Sequence, residues 1–258
     1  MYINELAEEL IEQMKSHMKG NLYHWTQVNF SYNSNKIEGS RLTEEQTEMI
    51  FETNSFIAKK EESIKMDDLI ESTNHFRLFD YMLEHFNETL TKEMIIEMNV
   101  ILKKGTSDEL NPRYNVGGFK TIPNIIGLIN VIKTTPPEMV EEELDSLLKE
   151  YNEKENITLE DIINFHVRFE RIHPFGDGNG RVGRIIMFKE CLKNSICPFI
   201  IRDQNKNFYI RGLREYDNDD AYLKDTCLLE QDVYIGMMEY LLDKKIEIFS
   251  EHEDEMTL

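Results

Sequence analysis

The stretch His173-Pro174-Phe175-Gly176-Asp177-Gly178-Asn179-Gly180-Arg181-Val182-Gly183-Arg184 limits what this chain can fold into. Before it, Ile162, Ile163, Phe165, Val167 and Phe169 are mostly inward positions of a helix over about 159–173, which Thr158 with Asp161 caps. Pro174 cannot continue that helix. After it, Val182, Ile185, Ile186, Phe188 and Leu192 supply the apolar positions of a second helix over about 180–194. The chain must therefore join a helix C-terminus to a helix N-terminus across a glycine-laced acidic turn.

Such a turn suits an anion. Its backbone N–H groups and the free N–H groups of the following helix can converge on phosphate oxygens, and glycines let them approach closely. Arg181 and Arg184 share a face of the first helical turn. Cations there oppose the helix dipole at roughly 0.3–1 kcal/mol each, which points to a bound polyanion. The plainer alternative is pairing with carboxylates, of which this chain has many. Asp177 would repel a phosphate unless it holds Mg²⁺, a hard cation that takes one carboxylate together with phosphate oxygens; otherwise it is a turn former. His173, at the end of its helix, can take a proton from an attacking hydroxyl. His166 is two turns earlier, about 10 Å away at 1.5 Å per residue, so the two histidines do not chelate one zinc ion.

Elsewhere the apolar spacing is helical. Segments are expected over about 4–19 (closed by Gly20), 23–38 (closed by Gly39), 44–57 (Thr43 and Gln46 as capping box), 66–86 and 92–104 (capped by Thr91). Others follow over about 138–152, 205–216 and 221–249, with 250–258 as an acidic fraying tail. Residues 105–127 differ, because Gly105, Pro112, Gly117, Gly118, Pro123 and Gly127 break any helix. There Phe119–Ile122 and Asn124–Ile126 are short enough for a hairpin or a folded-over flap. The fold class is all-α with one extended excursion.

With 49 acidic against 29 basic residues, the net charge of −20 argues against nucleic acid or an anionic membrane as a partner. Three cysteines, Cys191, Cys197 and Cys227, without a CxxC pair, suggest neither a zinc site nor a disulfide framework. No run approaches membrane-spanning length and the first residues carry no leader pattern, so the expected location is cytoplasmic.

His173 to Arg184 matches the HxFx(D/E)GNGRxxR signature of the Fic family (filamentation induced by cAMP) at each defined position, and the organisation of roughly 91–230 resembles a Fic core. The resemblance implies a Fic-type helical bundle with a short β-hairpin flap over a nucleotide site. Residues 1–60 would form an N-terminal helical region, 61–230 the core and 231–258 a C-terminal helix and tail. It implies a protein adenylyltransferase moving AMP from ATP to a Ser, Thr or Tyr of a target protein and to itself, as a possible homodimer. The alternative within the family is removal of AMP or transfer of another nucleotide. By resemblance, His173 is the general base and Phe175 the anchor of the loop. Asp177 holds Mg²⁺, while Gly178, Asn179 and Gly180 bind phosphates. Arg181 serves the α/β region and Arg184 the γ-phosphate. Asn124, Ile125, Ile126 and Gly127 form the nucleotide side of a flap that registers the target by strand addition, and Phe208 and Tyr209 lie near the adenine. Tyr216 stands where an asparagine is often found in the family.

Ser34-Asn35-Lys36-Ile37-Glu38-Gly39 matches the (S/T)xxxE(G/N) inhibitory pattern of many Fic proteins. Ser34 and Glu38 share a helix face. A carboxylate in a last helical turn is disfavoured by the dipole, and Arg184 is the expected cation to offset this. The resemblance implies that Glu38 competes with the γ-phosphate for Arg184.

Overall fold

The computed structural model describes residues 3–58, 63–126 and 132–254. Its helices are α1 (Leu6–Ser16), α2 (Leu22–Ile37), α3 (Glu44–Thr53), α4 (Met66–Glu84), α5 (Lys92–Lys103), α6 (Val140–Asn152), α7 (Leu159–Ile172), α8 (Asn179–Lys193), α9 (Lys206–Glu215) and α10 (Ala221–Asp254). One antiparallel hairpin, β1 (Ile125–Ile126) with β2 (Ile132–Lys133), interrupts them, in the register Ile125 with Lys133 and Ile126 with Ile132. The architecture is the expected all-α bundle with a short hairpin.

Helix α8 is the centre of the bundle. It packs against α2, α4, α5 and α7, and nearly every residue from Asn179 to Leu192 is buried. A helix enclosed on all sides needs no polar face, and its buried pair of late charges, Lys189 and Glu190, is satisfied internally. Lys189 Nζ donates to Glu190 (2.9 Å) and to the Glu88 carbonyl (2.7 Å). The Phe188 ring lies 5.4 Å from Phe30 of α2, 5.3 Å from Phe79 of α4 and 5.7 Å from Tyr234 of α10. Four helices are thus locked at one point, and truncating such a ring to alanine costs ~3–5 kcal/mol. One continuous cluster of buried apolar residues runs from Leu6 to Met238.

Local signals hold where the partner lies within three residues. Thr43 with Gln46 and Thr158 with Asp161 both form complete capping boxes, and Thr91 caps α5. Three expectations need correction. Helix α1 ends at Ser16, with His17 in the left-handed region (φ 53°), so Gly20 serves the turn into α2 and not a C-cap. Asn54 ends α3 in the same way (φ 51°), before the expected 57, since asparagine tolerates that conformation. Helix α10 continues through 250–254, which were expected to fray. The hairpin also differs: the arm opposite Ile125–Ile126 is Ile132–Lys133, while residues 119–122 have no strand partner among the described residues. The reason is the competing bond from the Lys120 amide to the Pro174 carbonyl (2.8 Å), which ties that segment to the His173 loop. Gly127 lies outside the described residues. No helix among those described is long and apolar enough to cross a membrane.

Candidate active site

Helices α7 and α8 meet as the sequence requires. His173 closes α7 in the left-handed region (φ 51°), its amide still donating to Phe169 (2.9 Å). Gly178 precedes α8 with φ 87°, a conformation that L side chains rarely adopt. Asn179 holds the turn between them: its Oδ1 accepts from the Phe175 amide (2.8 Å) and its Nδ2 donates to the Phe175 carbonyl (3.0 Å). Phe175 is buried, 6.2 Å from the Phe119 ring. Asn179 therefore shapes the turn with both ends of its amide.

The imidazole of His173 faces the Glu170 carbonyl through Nδ1, at 3.2 Å. That contact assigns the ring proton to Nδ1 and leaves the Nε2 lone pair to accept. Burial pulls the His173 pKa down to about 4, helped by the charge of Lys120. At neutral pH the ring is the free base. Glu170 goes the other way: burial raises its carboxyl to about 8, so it stays protonated.

Both arginines of the first α8 turn are 2% exposed, and both are paired. Arg181 donates to Asp177 Oδ2 (2.7 Å) and to Glu71 of α4 (2.5 Å). Lys103 of α5 joins them, its ammonium touching Glu71, Asp108 (2.5 Å) and Asp177 (2.5 Å). Burial disfavours the Asp177 carboxylate, but Arg181 and Lys103 outweigh it and hold its pKa at about 2. Asn99 Nδ2 fixes the Asp177 carbonyl at 2.9 Å. Arg184 instead turns to the end of α2. It donates to Ser34 Oγ and the Ser34 carbonyl (both 3.0 Å) and to Glu38 Oε1 (2.7 Å).

The Glu38 carboxylate reaches the α8 N-terminus itself. A Cβ on Gly180 would collide with Glu38 Oε1 and lie 2.9 Å from Arg184, so only glycine permits this approach. Burial works against the Glu38 charge, yet Arg184 and then Arg181 prevail and lower its pKa. The expected contact between the two motifs is thus made.

Other expected residues divide. Asn124 is tied to the loop through its bond to the Phe175 carbonyl (3.0 Å). Ile125 stands 56% exposed on β1. Tyr209 is buried beneath Arg184, whose Cζ is 5.9 Å from the ring, and its hydroxyl meets His166 at 2.7 Å. Phe208 points the other way along α9, 60% exposed, so the two rings lie on different faces of that helix. Sequence reasoning missed Glu71, Lys103, Asp108, Lys120 and Glu170. The one usable signal was Asn99 with Lys103, two polar residues a helical turn apart within the apolar run of α5.

Asp177 also fits a metal ion. Its side chain is 43% exposed beside the α8 N-terminus while one oxygen is anchored by Lys103 and Arg181. A carboxylate so fixed, with an accessible face, is the donor that Mg²⁺ uses with phosphate oxygens.

Comparison with known proteins agrees with this geometry. Residues 89–191 match the Fic/DOC family. A 64-residue stretch is 45% identical to a probable protein adenylyltransferase of Aquifex aeolicus, covering 25% of this chain and 19% of that protein. Over 196 residues the chain is 25% identical to the protein adenylyltransferase Fic of Nematostella vectensis, covering 73% of this chain and 43% of the relative. The chain thus spans less than half the length of these curated relatives. A Fic-domain-containing signaling protein of Bacteroides thetaiotaomicron superposes with a TM-score of 0.69 at 23% identity, covering 91% of this chain and 90% of its own. Fold, motif and match converge on residues 89–191, the stretch of this chain that matches the Fic/DOC family.

Proposed function

We propose that this protein is an adenylyltransferase that moves AMP from ATP to a Ser, Thr or Tyr hydroxyl of a target protein and of itself, restrained by its own Glu38. The observation that carries the reading is one helix turn: His173 ends α7 beside an α8 N-terminus that offers Arg181, Arg184 and free N–H groups. In the reaction, His173 Nε2 accepts the proton of the acceptor hydroxyl. The acceptor oxygen then forms a bond to the α-phosphorus as the bond to pyrophosphate breaks. Arg181 and the backbone amides from Gly178 to Gly180, held in place before substrate arrives, meet the developing charge, and Arg184 joins them once Glu38 releases it. Asp177 would hold Mg²⁺, which supplies further charge neutralisation at the phosphates when bound.

Restraint follows from Arg184 having two uses. While it holds Glu38 at 2.7 Å it is not available to a γ-phosphate, and the carboxylate adds repulsion at the same place. Intact-mass measurement after incubation with ATP and Mg²⁺ tests the activity. A gain of one AMP unit is expected in Glu38→Gly and none in Glu38→Gly with His173→Ala. No gain in Glu38→Gly, with or without added candidate targets, would sink the reading.

A further inference from the structure

Lys120 is a cation that this reaction does not use. It precedes the flap, is 3% exposed, and its ammonium meets three oxygens: Asn124 Oδ1 (2.8 Å), Thr134 Oγ1 (2.8 Å) and the Ile172 carbonyl (3.1 Å). These come from three places. Asn124 leads into β1, Thr134 leaves β2, and Ile172 is the last residue of α7, immediately before His173. The Lys120 amide donates to Pro174, immediately after His173, at 2.8 Å. Thr134 completes the knot by donating to the Asn124 carbonyl (2.9 Å), and Asn124 donates to Phe175 (3.0 Å).

A lysine ammonium is rarely buried without a purpose, because removing it from water is costly unless each donor is satisfied. Here all three N–H bonds find acceptors. The charge also stands at the C-terminal end of α7, where the helix dipole favours a cation. Burial lowers the Lys120 pKa to about 8.

We propose that Lys120 is a positioning residue: it fixes His173 through the carbonyls on either side of it and holds both arms of the flap in register with that imidazole. An acceptor segment paired along the flap would then arrive at a set distance from Nε2. The proposal rests on the adenylyltransferase reading only for what the base acts upon.

The groups facing His173 are Glu170 on its own helix, Lys120 before the flap, Glu38 at the end of α2 and Asp177 in the loop. Lys120 can therefore be removed while the protonated Glu170 and the two carboxylates stay. An NMR titration of the His173 imidazole, without nucleotide, is the first readout. Lys120→Met should raise the imidazole pKa by about half a unit or more. In the Glu38→Gly background it should cut the rate of AMP transfer ~10–100-fold, while affinity for a fluorescent ATP analogue changes less than about threefold. Lys120→Arg, which keeps the charge, should hold the imidazole value and recover most of the rate. An unmoved His173 titration in Lys120→Met, or a loss of nucleotide affinity equal to the loss of rate, would overturn the proposal. Should Lys120→Met fail to fold, Thr134→Val removes one leg of the knot. Faster hydrogen exchange at the Lys120 amide is then expected, and unchanged exchange overturns the idea. Titration and exchange need no ATP, so failure of AMP transfer in the parent protein would remove the activity and leave this inference standing.

Discussion

Arg181 and Arg184 stand one turn apart on α8, equally buried, yet they are held in different ways. Arg181 is bound by Glu71 of α4 and by Asp177, and Lys103 lies among the same carboxylates with Asp108. Four segments meet there, and no one of them can leave without stranding a charge. Among the described residues Arg184 has a single bonded carboxylate, Glu38, which caps α2 just before Gly39 and is 37% exposed in its side chain. One arginine is fastened to the scaffold, the other to a residue that water already reaches. The same guanidinium chemistry is thus fastened in one case and exchangeable in the other.

The largest expected effect tests the fixed member. Arg181→Met leaves Glu71 and Asp177 with Lys103 as their remaining cation, and breaking such a buried pair typically costs ~3–5 kcal/mol. Urea unfolding should show that loss, and AMP transfer should be abolished. Arg184→Met, whose one carboxylate can turn to water, should cost clearly less. Equal losses for the two would erase the distinction.

The second effect tests the exchangeable member. Glu38→Gly should raise AMP transfer ~10-fold or more, because the form with Arg184 free becomes the dominant one. Its stability should fall by less than that of Arg181→Met, since Arg184 keeps its two bonds to Ser34 when the carboxylate goes. Glu71→Gln gives the control from the other arginine: it should lower stability without activating. Activation by both variants would mean that general loosening, not release of Arg184, frees the enzyme.

The difference between the two arginines was only half legible in the sequence. Glu38 could be matched to Arg184 because each belongs to a short motif whose spacing is written in consecutive residues. The caps at Thr43, Thr91 and Thr158 were legible for the same reason, since donor and acceptor lie within one turn. Glu71 and Asp108 carry no such mark: each sits in an ordinary run of polar residues, and only the packing of α4 and α5 on α8 gathers them around Lys103. Lys120 was hidden for a related reason. Its acceptors include two backbone carbonyls, which every residue possesses, so no residue type announces them. The hairpin was misread in its second arm because the bond from Lys120 to Pro174, invisible in sequence, removes Phe119–Ile122 from strand pairing. Phe208 and Tyr209 show the limit of reading neighbours as a pair, since adjacent helical residues point apart.

The smallest effect concerns Glu170, the carboxyl that could have made the two arginines alike. It lies near Arg184, and if ionised it would give that guanidinium a second carboxylate. Burial prevents this. The folded chain keeps the Glu170 proton up to about pH 8, whereas a glutamate in the unfolded chain releases it near 4.5. The folded state therefore binds the extra proton within that window, so the stability Glu170 allows is full below about pH 4.5 and declines as pH rises towards 8. Glu170→Gln carries no proton to lose. The melting temperature of the wild type, measured against that variant, should fall by a few degrees between about pH 5 and pH 8. A difference that stays flat across the series would mean that Glu170 is already ionised. Arg184 would then have two carboxylate partners, Glu38 would no longer decide its state, and the contrast with Arg181 would rest on exposure alone.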